Sequence, residues 1–208
     1  MSGSDTLSTF IDAAAVPAAV ATAVCAAQTT AGIANLVING SLATGGVATL
    51  VPARNVTVTT ASDNTGINFL ITGFRGDGTT VVTETIAGPG AGLTVSTTAL
   101  FSKVDKIAVT GAITGNATVG TGTSVIGTVF AGRTRVRGIY FVTTSTAGTI
   151  AITNGPTGVG EIGVKFATSG GANSADYPSM PDEGIVYSNG AYVVYTSNAV
   201  TGITVFYN

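Results

Sequence analysis

From residue 36 to its end the chain is written in short runs where apolar and small polar residues alternate, broken every few positions by Gly, Asn, Asp or Pro. A period of two puts alternate side chains on opposite faces of an extended backbone, so these runs predict half-buried strands and not helices. In the first half the predicted strands are 35–38, 47–50, 55–60, 67–73, 80–86, 93–96, 103–110 and 117–119. The second half adds 125–130, 135–143, 148–153, 160–167, 184–187, 191–196 and 202–207. Threonine, with 36 copies among 208 residues, is the usual polar partner; its β-branched side chain suits a pleated surface. Asp77-Gly78 and Asn189-Gly190 are hairpin-turn signals, and Asn154-Gly155-Pro156 and Gly170-Gly171 are further turns.

So many short strands, with no helical pattern beyond residue 35, predict an all-β fold. The expectation is two antiparallel β-sandwich or jelly-roll-like domains, 36–122 and 123–208, parted at the Gly/Thr-rich stretch 120–123. A short Ala-rich N-terminal arm or helix, 1–35, precedes them. Asp5 followed by Leu7, Phe10, Ile11 and Ala14 fits an amphipathic first helical turn capped by Asp5, ended by Pro17. The alternative is an extended arm. The Ala/Val run 11–27 superficially resembles a secretory leader, but the first basic residue is Arg54, so the positive n-region is missing.

The absence of histidine removes the imidazole base, the Ser-His-Asp arrangement and His-ligated metals. The single cysteine, Cys25, allows no intrachain disulfide and no thiolate zinc site, and is expected as a small buried hydrophobe. Eight basic against ten acidic residues leave no electrostatic footprint for nucleic acid, and no apolar run is long enough to span a membrane as a helix. The acids are dispersed: Asp182 and Glu183 adjoin, with Asp176 nearby, but match neither a glycosidase pair nor a calcium loop. The expectation is a protein that is not an enzyme and takes no cofactor or metal.

Two groups of residues stand out as interface candidates. Arg133, Arg135 and Arg137 alternate on one predicted strand and so share a face, which reads as solvated surface, as an anion or nucleic-acid patch, or as a subunit contact, the strip being too short for specific nucleic-acid binding. All six tyrosines fall in the second predicted domain; Tyr187, Tyr192 and Tyr195 flank the Asn189-Gly190 turn as candidate interface or stacking residues, against the alternative that they fill the core. Glu84 shares a strand face with Val82 and Ile86, so its carboxylate needs a partner, with Arg75 or Arg54 as candidates. The tripeptide Arg75-Gly76-Asp77 is explained by turn chemistry.

Residues 70–78 (Leu-Ile-Thr-Gly-Phe-Arg-Gly-Asp-Gly) followed by Val82-Thr83-Glu84-Thr85-Ile86 resemble a hairpin of tailed-bacteriophage virion proteins. Ser96-Thr97-Thr98-Ala99-Leu100-Phe101, the run Arg135 to Phe141, and the segments 181–185 and 205–207 are similar to such proteins too. The resemblance implies a virion component assembled in many copies in the host cytoplasm. The expected form is a capsid decoration (cement) protein, a homo-oligomer, expected as a trimer, on the major capsid protein. The alternatives are a neck, tail or fibre component, or a glycan- or receptor-binding module.

Overall fold

The computed structural model describes residues 5–156, 161–171 and 174–208. Every regular element among them is a β-strand. The first eight are β1 (Leu7–Asp12), β2 (Cys25–Gln28), β3 (Ala34–Asn35), β4 (Ala43–Thr44), β5 (Val47–Thr60), β6 (Asn68–Arg75), β7 (Val81–Ala87) and β8 (Thr94–Val109). The rest are β9 (Ala117–Phe130), β10 (Thr134–Thr143), β11 (Ala147–Asn154), β12 (Glu161–Ser169), β13 (Ala175–Asp176), β14 (Ile185–Tyr187), β15 (Ala191–Thr196) and β16 (Val200–Tyr207). Gly160, which opens one predicted run, lies outside the described residues. The fold is all-β, with antiparallel sheets packed together as in a β-sandwich.

The chain forms two compact units: a continuous one, residues 19–123, and a split one joining the residues up to 18 with 124–208. The segment expected as a separate arm is therefore shared, β1 going to the split unit and residues 19–35 to the continuous one. The division falls between Thr123 and Ser124, yet no linker marks it, because β9 runs unbroken from Ala117 to Phe130. The glycines of 120–123 serve close approach: a Cβ on Gly120 would lie 2.2 Å from the Val20 carbonyl oxygen, and one on Gly122 would lie 2.3 Å from the Asn55 side chain.

In the continuous unit the strand order is β9-β5-β8-β6-β7, with β2 on β9, β3 on β8 and β4 on β5. Val56 and Val58, Phe69 and Ile71, and Val104, Ile107 and Val109 alternate inward and build the core, where Cys25 is also fully buried. Burial pushes the Cys25 thiol up to about 12, so it behaves as a small hydrophobe. Two runs predicted as separate strands, 93–96 and 103–110, merge into β8 across a bulge at 97–99, where pairing with β5 shifts from Leu100↔Asn55 to Ser96↔Thr57. Glu84 closes that bulge. Its carboxylate accepts the N–H groups of Thr98 (2.8 Å) and Ala99 (2.7 Å), and these peptides, not an arginine, are the partner it needs. Asp77-Gly78 forms the expected β6–β7 hairpin turn; Gly78 has φ +71°, and the Asp77 carboxylate accepts the N–H groups of Thr79 and Thr80.

In the split unit one sheet has the order β1-β16-β10-β13, with β14 also on β10; the other runs β12-β11-β15 and on to the second half of β9. Val136, Ile139, Phe141, Ile203 and Val205 from the first sheet meet Val125, Ile150, Ile152 and Val193 from the second in a single core. The N-terminal helix is corrected to a strand: residues 7–12 pair with β16 over six residues, Leu7↔Tyr207 to Asp12↔Gly202. Asp5 caps nothing helical there, while the Asp12 carboxylate accepts the N–H groups of Ala14 and Ala15 and turns the chain out of the strand. The Asn189-Gly190 hairpin is also corrected. β14 pairs with β10 and β15 with β9 and β11, so this turn is a corner between the two sheets.

Candidate docking face

β10 opens at Thr134, so Arg133 stands in the bend before it, and the strip of three arginines on one strand is reduced to two. A register shift between Val136 and Gly138 places Arg137 at a bulge, next to Arg135 on the outer side. Both guanidinium groups hold the turn 181–184. Arg135 Nη1 donates to the Glu183 carbonyl (2.6 Å), and Arg137 Nη1 donates to the Asp182 carbonyl (2.9 Å) with Nε on Asn208 Oδ1 (3.3 Å). Gly184 lets the turn lie flat on β10: its φ is +71°, and a Cβ there would sit 2.4 Å from the Val136 carbonyl oxygen. These acceptors are peptide dipoles, which fix the arginines without cancelling their charge. Beside them Arg133, Thr134, Arg135, Val186 and Asn208 line a shallow depression of about 160 Å³.

The candidate tyrosines lie inside. Tyr187 is 1% exposed, Tyr195 2% and Tyr192 8%; Tyr187 and Tyr195 belong to the core of the split unit, and Tyr192 is buried on the other face of β15. The phase of each run explains why: Tyr187 falls in step with Ile185, and Tyr195 with Val193, on the core-facing side. Burial pushes the Tyr187 hydroxyl up to about 12. Among the described residues its oxygen has no hydrogen-bond partner, and Gly163 makes room for it, since a Cβ there would lie 2.3 Å away.

The rings that do reach solvent are others. Phe10 is 65% exposed, Tyr177 62% and Tyr140 37%, and Phe206 is half-buried. They share the outer face of the β1-β16-β10 sheet. Phe10 and Tyr140 pair across Thr204 from its two sides, and Phe206 stands two residues further on, between Ser8 and Gly138. The Tyr177 ring meets Phe206 edge-on, with centroids 6.3 Å apart and planes at 60°. Two glycines seat the rings against the sheet. A Cβ on Gly202 would lie 2.8 Å from the Phe10 ring, and one on Gly138 would lie 2.6 Å from the Tyr177 hydroxyl. Arg135 and Arg137 flank this face at one end, with Asp12 at the other.

The continuous unit carries a different surface. Thr57, Thr59, Thr94, Ser96, Thr121 and Thr123 line a groove of about 340 Å³ over β5, β8 and β9. Thr59 and Thr94 share a hydrogen bond of 2.7 Å. Hydroxyls of this kind can order water or accept a hydrogen bond, but none of the named groups titrates near neutrality. Among the described residues no three of Asp, Glu, His and Cys come together as a metal site. The arginine and aromatic face offers apolar rings on a solvent-facing sheet, with arginines at one end and a carboxylate at the other.

Arg135 was legible from sequence as part of this face, while Phe10, Tyr140, Tyr177 and Phe206 were not singled out. A signal for two of them existed: Tyr140 lies between Ile139 and Phe141, and Phe206 between Val205 and Tyr207, out of phase with the core. No protein family matches the sequence, and neither a curated protein nor a solved structure matches it.

Proposed function

We propose that this chain is a non-enzymatic structural component of a tailed-bacteriophage virion, a decoration protein that docks on the head through the outer face of its split unit. The observation that carries the reading is the cluster of outward rings, Phe10, Tyr140, Tyr177 and Phe206, on a sheet whose core is already complete without them. A solvent-facing sheet normally presents polar side chains; a contiguous aromatic patch marks a surface covered by a partner. Burying one such ring contributes roughly 1.5–3 kcal/mol, and repetition over many copies turns a modest contact into a firm one. The resemblance of 70–86 to a virion hairpin and the low charge of the chain agree with this role.

Quantitative mass spectrometry of gradient-purified particles, with labelled antibody to locate the chain, tests the reading. Hundreds of copies on the head are expected. A few copies at the neck or tail would move the chain to that assignment, and absence from the particle would overturn the proposal.

A further inference from the structure

We infer that β7 is an assembly edge, at which a second copy of this chain adds its own β7 in antiparallel register. β7 ends the strand order of its sheet, and among the described residues its backbone ladder is made with β6 alone. The Arg75 N–H donates to the Thr80 carbonyl at the start of the hairpin, and the register runs without a shift from Phe74↔Val81 to Asn68↔Ala87. Hydrogen bonding in an antiparallel pair alternates. Thr80, Val82, Glu84 and Ile86 therefore spend their peptide groups on β6, and Val81, Thr83, Thr85 and Ala87 turn theirs outward.

Edges that must stay single are blunted by lysine, proline, a bulge or brevity. The opposite edge strand, β12, has Lys165, Glu161 and a register shift at Ile152/Thr153; β13 and β14 are two and three residues long; β1 closes on Asp12. β7 has seven residues, no lysine, no proline and no bulge. Its one charge, Glu84, is folded back onto the N–H groups of Thr98 and Ala99. What remains at the rim is neutral, and it matches itself. A two-fold axis at Glu84 sets Val81 opposite Ala87 and Thr83 opposite Thr85 of the second copy, so the outward peptide groups of the two strands complete one another. Threonine pairs across strands already occur in the chain, Thr72 with Thr83 at 2.8 Å.

The inference deepens the assembly reading, and the two can fail separately, because β7 and the aromatic face lie on different units. The test is sedimentation velocity of the full chain over a range of concentrations, with two charge-bearing variants. Thr83→Lys with Thr85→Lys, and Thr83→Glu with Thr85→Glu, should each weaken self-association at least tenfold, and an equimolar mixture of the two should restore it. Hydrogen exchange supplies a second readout: the amides of Val81, Thr83, Thr85 and Ala87 should be protected in the wild-type chain and lose protection on dilution. A wild-type chain that stays monomeric, or a lysine variant that associates as tightly as wild type, would overturn the inference. Wild-type self-association by either variant, together with particle binding at wild-type level, would leave the docking face standing while the edge fell.

Discussion

The two units solve the same packing problem and differ in what they show to water. Inside, both are Val/Ile/Phe cores built by alternation. Outside, the groove over β5, β8 and β9 of the continuous unit is lined mainly by threonine and serine, whereas the split unit covers β1, β16 and β10 with aromatic rings and two arginines. The outer aromatics Phe10, Tyr140, Tyr177 and Phe206 belong to neither core. Hydroxyls on a sheet keep it wetted and unattached; rings in the same positions leave surface to be covered. The difference is what directs the proposed docking to the split unit's outer sheet face.

Substitutions break or sharpen that contrast in a graded order. Phe141→Ala, in the split-unit core, should destabilise by about 3–5 kcal/mol in denaturant unfolding, whereas Tyr140→Ala, its outward neighbour, should cost under about 1 kcal/mol. Equal losses would mean that the outer rings belong to the core. Gly184→Ala should cost about 2 kcal/mol, because a left-handed residue and a close approach to Val136 are both disturbed. Faster proteolysis at 181–184 would report release of the turn held by Arg135 and Arg137.

Tyr187→Phe should stabilise by about 1 kcal/mol at neutral pH, since the buried hydroxyl it removes has no partner among the described residues. The same substitution has a pH signature. The folded-state pKa is raised to about 12 from an ordinary 10, so below pH 10 the group is neutral folded and unfolded alike. Between pH 10 and about 12 only the unfolded chain ionises, and this one residue removes up to about 1.4 kcal/mol per pH unit. The wild-type chain should lose stability faster than Tyr187→Phe across that window in alkaline denaturation curves. Thr59→Ala, on the hydroxyl face, should change stability by less than about 0.5 kcal/mol.

Most of the strand content could be read from alternation alone, and so could the Asp77-Gly78 hairpin. Connections that depend on tertiary partners could not. Residues 97–99 looked like a break because nothing local shows that Glu84, fourteen residues earlier in the chain, supplies the acceptors that keep β8 continuous. Gly120 and Gly122 looked like a linker because glycine marks flexibility and close packing with the same letter. Asn189-Gly190 signals a reversal of direction, but which sheet receives each arm is decided by β10 and β9. The two readings of the tyrosines, core or interface, could be separated for Tyr187 and Tyr195 by phasing them against Ile185 and Val193. Phe10 and Tyr177 had no such signal: Phe10 sits in a segment whose pairing partner lies near the far end of the chain, and Tyr177 follows a strand of two residues.

Under the proposed role, binding of the purified chain to phage heads assembled without it is the most direct test of the docking face. Phe10→Ser with Tyr140→Ser should lower head affinity at least about a hundredfold while leaving the unfolding midpoint close to wild type. Thr59→Ala with Thr94→Ala should bind as the wild-type chain does. If the aromatic and threonine variants occupied heads equally, or if the wild-type chain bound none, the account of the outer face would be contradicted.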